Sequence, residues 1–333
     1  MQSTIQILTN MAFFESAIWS AATTSICREG ETPDTLCPMR QVFRLMKLRR
    51  RFDAVVTMGP RVSLLYGLCC SLLGVSSRQI MTEVFLDTPH PSSWLWRMKT
   101  ALFRHVARRS TGVLTNSSGE IVLIAERFRI PENKLRFVPM YTTVKEPRLH
   151  EQNDGYVLSV GRTLRDLDTL FKAVAFISAP VIVVTDRHTR LPASLPKNVQ
   201  IQCDISLEAS RDLMRRCAMV VIPLLPVPRS TGQVVMFEAM AMGKPVIATR
   251  TVGTADYIRD GENGLLVAPG NAQALADSMS QLLTDAVLAR SLGAAALQDS
   301  QTRWTPDMHA QNKLAAIEAF WKTAGLFIRE VAI

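Results

Sequence analysis

The sequence predicts two consecutive α/β domains, each built on a doubly wound parallel sheet. Short β-rich apolar runs alternate with helical patterns almost throughout. The alternation breaks once, at the polar stretch "VKEPRLHEQNDG" (144–155), and then restarts. At 333 residues the chain fits two domains of ordinary size better than one, and a hydrophobic content of 47% argues against disorder.

In the first half "TIQILTN" (4–10) reads as a strand and "MRQVFRLMKLRRRF" (39–52) as an amphipathic helix. "DAVVTMG" (53–59) is a strand, "RVSLLYGLCCSLLG" (61–74) a helix, and "RQIMTEVFLD" (78–87) a strand. A long helix around 92–109 follows, then strand 111–117, helix 118–130 and strand 134–140. The stretch 144–155 has Pro, Gly, Asn and charges without periodicity, and reads as a linker.

Beyond it come strand 156–162, helix 166–177, strands 180–186 and 198–204, helix 207–217 and strand 218–224. Helix "GQVVMFEAMAMG" leads to strand "KPVIATR", a short helix at "TADYIRD" and strand "GLLVAPG" (264–270). "AQALADSMSQLLTD" and 306–326 are terminal helices. The domains are thus expected at 1–148 and 149–305, with a helical tail at 306–333.

The net charge is +9, and all of it lies in one half. Residues 1–150 hold 20 Lys and Arg against 11 Asp and Glu, whereas 151–333 hold 18 of each. A polyanionic partner for the first domain alone follows, either nucleic acid or an anionic membrane surface. The six cysteines form no CxxC pair and the five histidines are scattered, which argues against a zinc site. They read as reduced thiols of a cytoplasmic protein, most of them in the core. No apolar run approaches the roughly 18 residues of a membrane span, and no basic segment precedes an apolar stretch at the N-terminus, so neither a span nor a signal peptide is expected.

One carboxylate stands out. Glu238 lies within Val234–Met242, a run otherwise of Val, Met, Phe and Ala. A helix apolar all round is buried, and a carboxylate there needs a partner. That partner is either a neighbouring Arg or Lys, or the paired hydroxyls of a ribose in a cleft. Gly232 precedes this helix, with Ser230 and Thr231 before it; such a start leaves N–H groups and the helix dipole facing an anion, although Ser and Thr are also ordinary caps. In "VLSVGRTLRD", Gly161 follows a strand with Arg162 and Arg165 beside it, where forked donors suit phosphate oxygens. Ligands of open α/β sheets bind at the carboxyl ends of strands.

"GR" before a helix, then "FEAMAMGKPVIAT", then "DGENGLLV" with "PG" after it, resemble in that order the carboxyl-terminal half of retaining glycosyltransferases of the GT-B fold. The resemblance is specific over about 156–290, and "TNSSGEIVLIAERFRIPENKLRFVPM" resembles the end of the family's first domain. It implies two facing Rossmann-like domains, the second holding a UDP- or GDP-sugar, and a C-terminal helix that crosses back onto the first. Carried over by position, it implies that Glu238 binds the donor ribose and that Arg162 and Arg165 hold the diphosphate and stabilise its departing charge. It places Gly161 in the same loop, Gly232 and Gln233 beside diphosphate and sugar, and the backbone near Cys203 and Asp204 against the base. It implies no cofactor and no metal. The nearest Asp-x-Asp, Asp166 and Asp168, opens a helix, where carboxylates are common.

Three features depart from the family. Ser230 stands where a first glutamate is common, so a polar contact is retained without the carboxylate. The usual Lys after "GR" is replaced by "TLRDLDTLF", and no Gly-rich loop follows the first strand. A catalytically weakened binding or scaffold protein, or a nucleotide-sugar epimerase, are the competing readings. A GxGxxG fingerprint is absent, which disfavours a dinucleotide dehydrogenase.

On the acceptor side the loop "TEVFLDTPHPSS" offers Glu83, Asp87 and His90, with Asp87 the first choice for orienting the acceptor or acting as base. Asp256 and Tyr257 are expected to cap the short helix near the donor. Two helices of the first domain carry most of its positive charge, and the second, around 92–109, interleaves Trp and Leu with Arg and Lys, which suits a membrane interface over nucleic acid. The expected protein is therefore a cytoplasmic enzyme, peripheral on a membrane, acting on a membrane-borne or glycan acceptor in polysaccharide or glycolipid assembly.

Overall fold

The computed structural model describes residues 5–11, 15–27, 31, 35–84, 92–323 and 325. The chain divides into a first unit running to Pro139 and including the segment from Pro306 onward, and a second unit, Met140–Thr305. Both are parallel α/β sheets of six strands.

The first sheet has strands β1 (Ile7–Thr9), β2 (Thr23–Ser25), β3 (Ala54–Met58), β4 (Gln79–Thr82), β5 (Gly112–Thr115) and β6 (Leu135–Phe137), in the order β2-β1-β3-β4-β5-β6. Its helices are α1 (Ala17–Ala22), α2 (Pro38–Leu48), α3 (Pro60–Leu72), α4 (Trp94–Arg109), α5 (Gly119–Phe128) and α11 (Pro306–Thr323). Alternation along each strand sorts the core into two layers. Leu8, Val55, Met81 and Val113 face α2, α3, α4 and α5. Their neighbours Ile7, Val56, Ile80 and Leu114 face Trp19 of α1 and Ile317, Phe320 and Trp321 of α11. Strands covered on both faces must be apolar at successive positions, and so they read as continuous runs.

The helix α11 is bound into the first unit by polar contacts as well. Ser16 caps α1 by accepting from the Trp19 N–H, and its hydroxyl donates to Asp307 Oδ1 at 2.6 Å. His309 Nδ1 lies 2.6 Å from the Pro139 carbonyl oxygen, and burial holds the imidazole well below its usual pKa.

The second sheet has β7 (Val157–Val160), β8 (Val181–Thr185), β9 (Val199–Cys203), β10 (Met219–Ile222), β11 (Val246–Thr249) and β12 (Leu265–Val267), in the order β12-β11-β10-β7-β8-β9. Between and after them run α6 (Leu167–Val174), α7 (Leu207–Arg216), α8 (Gln233–Ala241), α9 (Ala272–Thr284) and α10 (Ala286–Thr302). Val157, Val181, Met219, Ile247 and Val267 pack against Leu170 and Phe171 of α6 and Leu275 and Met279 of α9. The helices α7 and α8 take the opposite face.

Several expectations change. The stretch 144–155 is no free linker. The N–H groups of Arg148 and His150 donate to the carbonyls of Ala241 and Met242, and Lys244 Nζ donates to the Gln152 carbonyl at 2.7 Å. The second unit thus starts at Met140, where the sequence placed the boundary after 148. The segment 254–260 forms hydrogen-bonded turns and no helix. Tyr257 is fully buried, edge-on to Phe237 and Trp304 at 5.1 and 5.2 Å, and its hydroxyl accepts from the Met140 N–H. It is a core residue, and there is no helix at 254–260 for it to cap. Of the six thiols only Cys70 and Cys217 are buried, so most cysteines lie outside the core.

Candidate functional site

In the second unit β7 is flanked by β8 on one side and β10 on the other, so the chain reverses its direction of winding between β7 and β10. Crevices at such a switch point, outside the carboxyl ends of the strands, are where open α/β sheets take ligands. The loops after β7 and β10 meet there. Leu225 N–H donates to the Leu164 carbonyl, Asp166 N–H to the Pro223 carbonyl, and Arg165 and Leu224 form an antiparallel bridge.

The β7 loop opens on Gly161 at φ +140°. Arg165 folds back beneath it. Its Nη2 and Nε donate to the Val160 carbonyl at 3.0 and 3.1 Å, and Nη1 donates to the Thr163 carbonyl at 3.1 Å. Burial pushes its pKa down to about 10, which leaves it charged at neutral pH. Arg165 was expected to reach for a diphosphate; it is instead turned inward and shapes the loop, because three of its donors satisfy backbone carbonyls. Arg162 is exposed and makes no hydrogen bond or ion pair among the described residues. A Cβ at position 161 would lie 2.2–2.4 Å from the Arg165 guanidinium. Gly161→Ala is therefore expected to cost about 1–3 kcal/mol and to displace Arg165, read as a lower denaturant midpoint.

Arg162 and Arg165 line a cavity of about 790 Å³. Its other polar walls come from the end of β8 and the loop after it, including Thr185, Asp186, His188 and Arg190. The Asp186 carboxylate accepts from the His188 N–H at 2.8 Å and Thr185 Oγ1 lies 2.7 Å from Thr189 Oγ1, which fixes the turn. The sequence reading missed these residues. Their signal was "TDRHTR", a polar run directly after a buried strand.

Across the switch point α8 begins after Gly232, whose backbone is left-handed, and no side chain caps its first turn. The N–H groups of Gln233, Val234 and Val235 thus meet the positive end of the helix dipole. Ser230 and Gln233 are buried, and the Thr231 hydroxyl is buried with no partner among the described residues. Gly253 crosses this segment so closely that a Cβ would lie 2.6 Å from the Thr231 nitrogen. Glu238, one turn further along α8, is buried and paired. Arg211 of α7 donates to its Oε1 from Nη2 at 2.6 Å and from Nε at 3.0 Å. The salt bridge considered for this carboxylate exists, and it leaves Oε2 without a protein hydrogen bond among the described residues.

Cys203 and Asp204 sit at the end of β9, outside the lining of the cavity. Asp204 N–H donates to the Thr185 carbonyl, and its carboxylate accepts from Arg187 Nε at 2.6 Å, which holds its pKa below the usual value. Asp87 and His90 lie outside the described residues, while Glu83 is half-buried with a left-handed backbone at φ +52°. Among the described residues no group of three or more His, Cys, Asp or Glu is placed to hold a metal.

A glycine–arginine loop and an uncapped helix start lie in the loops that follow the two strands of the switch point, β7 and β10, and the comparisons place this α/β domain more narrowly. Residues 154–285 match the family model described as glycosyl transferases group 1. An uncharacterized glycosyltransferase of Methanocaldococcus jannaschii is 28% identical over 192 residues, 54% of each chain. A D-inositol 3-phosphate glycosyltransferase of Stackebrandtia nassauensis is 25% identical over 264 residues, 69% of this chain and 58% of that one. The chain thus spans little more than half the length of these relatives. Among solved structures, Anabaena HepE in complex with UDP superposes with a TM-score of 0.66 at 14% identity, over 97% of this chain and 100% of that one. The fold is that of the two-domain GT-B glycosyltransferases, and the motif-bearing residues of the second unit are similar to the group 1 glycosyl transferases over 154–285.

Proposed function

We propose that the protein is a glycosyltransferase that moves a sugar, with retention, from a UDP- or GDP-sugar to a glycan or lipid-linked acceptor at the cytoplasmic face of a membrane. The observation that carries this reading is the exposed Arg162, without a hydrogen bond or ion pair among the described residues, in the loop that bridges to the one leading into the uncapped start of α8. Transfer breaks the bond from the sugar carbon to the diphosphate and forms one to an acceptor oxygen. Negative charge grows on the departing diphosphate, and fixed donors aimed there lower the barrier. In this reading Arg162 and the α8 N–H groups supply them, Arg165 holds the loop in shape, and Glu238 accepts from the ribose hydroxyls through Oε2. Anabaena HepE was solved with UDP and with UDP-glucose, which favours a uridine donor for this chain. The reaction class implies no cofactor and no metal.

A second reading has a specific observation in its favour. Arg211 already satisfies Glu238 and position 230 holds Ser, both compatible with a non-catalytic binding protein. An epimerase on this fold would act without any acceptor. Calorimetry with UDP, GDP, ADP and CMP on wild type and Arg162→Ala separates these cases. One diphosphate is expected to bind well, and at least tenfold more weakly to the variant, the equivalent of about 1.4 kcal/mol. Nuclear magnetic resonance of the product with the matching nucleotide-sugar then reads the anomeric configuration. No binding of any nucleotide by folded protein would sink the enzymatic reading.

A further inference from the structure

Three neighbouring helices of the first unit have an unusual surface. The helices α2, α3 and α4 lie side by side on one face of the sheet. They bury Val42 and Leu45, Val62 and Tyr66, and Phe103 and Val106 against it. A helix in this position ordinarily shows mixed charges to water. Here α2, the turn Arg49–Arg51 that extends it, α3 and α4 carry twelve Lys and Arg and no Asp or Glu.

The outward faces are also apolar. Met39 and Phe43, four residues apart on α2, are 61% and 68% exposed. On α4 Trp94 is 69% exposed, with Leu95 and Met98 beside it, and Leu72 at the end of α3 is 78% exposed. Residues three and four apart on a helix are neighbours, so these form stripes and are not scattered singly. Arg40, Lys47, Arg61 and Arg97 rim the stripes, and all four are exposed with no ion pair among the described residues.

We infer that the outer face of α2, α3 and α4 docks on an anionic lipid surface, the helices lying in the plane of the interface. A nucleic acid would answer the cations and leave Phe43, Trp94 and Leu72 in water. A bilayer with acidic headgroups answers both, because its interface accepts aromatic and aliphatic side chains just beneath the charges. Among the described residues no helix is long and apolar enough to cross a membrane, and the contact inferred here is superficial. The inference deepens the lipid-linked acceptor reading, but its test uses neither donor nor acceptor, so failure of one leaves the other standing.

The full chain would be sedimented with vesicles of phosphatidylcholine alone and of equal parts phosphatidylcholine and phosphatidylglycerol. Binding to the anionic vesicles only is expected, with tryptophan emission shifted to the blue and quenched by brominated acyl chains. Trp19, Trp304 and Trp321 are buried, and Trp96 is half-buried with the Arg127 guanidinium 5.3 Å from its ring centroid, so Trp94 is the main reporter, and the shift should be larger in Trp96→Phe, which keeps Trp94, than in Trp94→Phe. The pair Phe43→Ser and Trp94→Ser, both at exposed positions, should weaken binding at least tenfold, and Arg40→Glu with Arg97→Glu should do the same. Anionic-vesicle binding unchanged in the apolar pair, equal binding to neutral vesicles, or tighter binding to duplex DNA in the same buffer would each overturn it.

Discussion

Glu238→Ala is expected to lower stability by about 2–3 kcal/mol and to abolish binding of the donor nucleotide. The stability loss comes from Arg211, whose guanidinium would keep only a long contact to Thr143 Oγ1 at 3.4 Å. Breaking a fully enclosed pair costs roughly 3–5 kcal/mol. The Arg211 side chain is 21% exposed and can turn partly to water, which places the expected cost below that range. For a unit of this size the change corresponds to roughly 5–10 °C in Tm.

Stability alone does not separate the two roles of the carboxylate, but binding does. Arg211→Met removes the partner and leaves Glu238 in place, so a ribose site survives it with a modest loss. Glu238→Gln keeps an oxygen for both partners and should bind nucleotide more tightly than Glu238→Ala. If Arg211→Met and Glu238→Ala weaken nucleotide binding equally, Glu238 serves only to hold α7 against α8. Thermal melts and calorimetry on the three variants read both effects.

The parts of this molecule that were legible in the sequence are those dictated by local chemistry. Strands such as "MVVI" and "VIAT" are covered on both faces, so every residue is buried, all but the final Thr249 are apolar, and the run is visible. By contrast β2, three residues at the edge of its sheet, buries only Thr23, and neither it nor α1 leaves a pattern to read. The Ala-rich α10 escaped because small side chains give little contrast between its buried and exposed faces. "TADYIRD" has the composition of a capped helix, but Tyr257 is drawn into an aromatic cluster with Phe237 and Trp304, and the chain turns instead.

The same division runs through the site. Gly161, Arg162 and Gly232 were found because a strand end, a glycine and a helix start are contiguous in the chain. Arg211 lies 27 residues before Glu238, and only the packing of α7 on α8 joins them. The inward turn of Arg165 was equally hidden. Its sequence position beside Arg162 says nothing about whether its guanidinium faces a ligand or the carbonyls of its own loop.

Lys313→Met is the second large effect, and it shows as a change in pH dependence. Lys313 on α11 is fully buried, with Nζ 5.5 Å from the Trp19 ring centroid and 3.9 Å from Met11 Sδ. Burial pushes its pKa down to about 8 from 10.5, with Glu83 opposing the shift. The unfolded chain therefore binds the proton more tightly than the folded one, and the penalty for burying the charge is fully present below pH 8. It is relieved as pH rises from 8 towards 10.5, because the folded protein then holds a neutral amine while the unfolded chain remains protonated. The gain over that window is about 2–3 kcal/mol. Tyr66, with its pKa raised by burial, and Cys217, raised to about 12, lose stability over the alkaline range and act in the opposite direction. The informative quantity is thus the difference between wild type and Lys313→Met in urea titrations at pH 7 and pH 10. Methionine has a similar reach and no charge to bury, so the variant should be the more stable protein at pH 7, with an advantage that shrinks by about 2–3 kcal/mol at pH 10. A difference that stays constant between the two pH values would mean that Lys313 keeps its proton in the folded state, through a stronger anionic partner than Glu83.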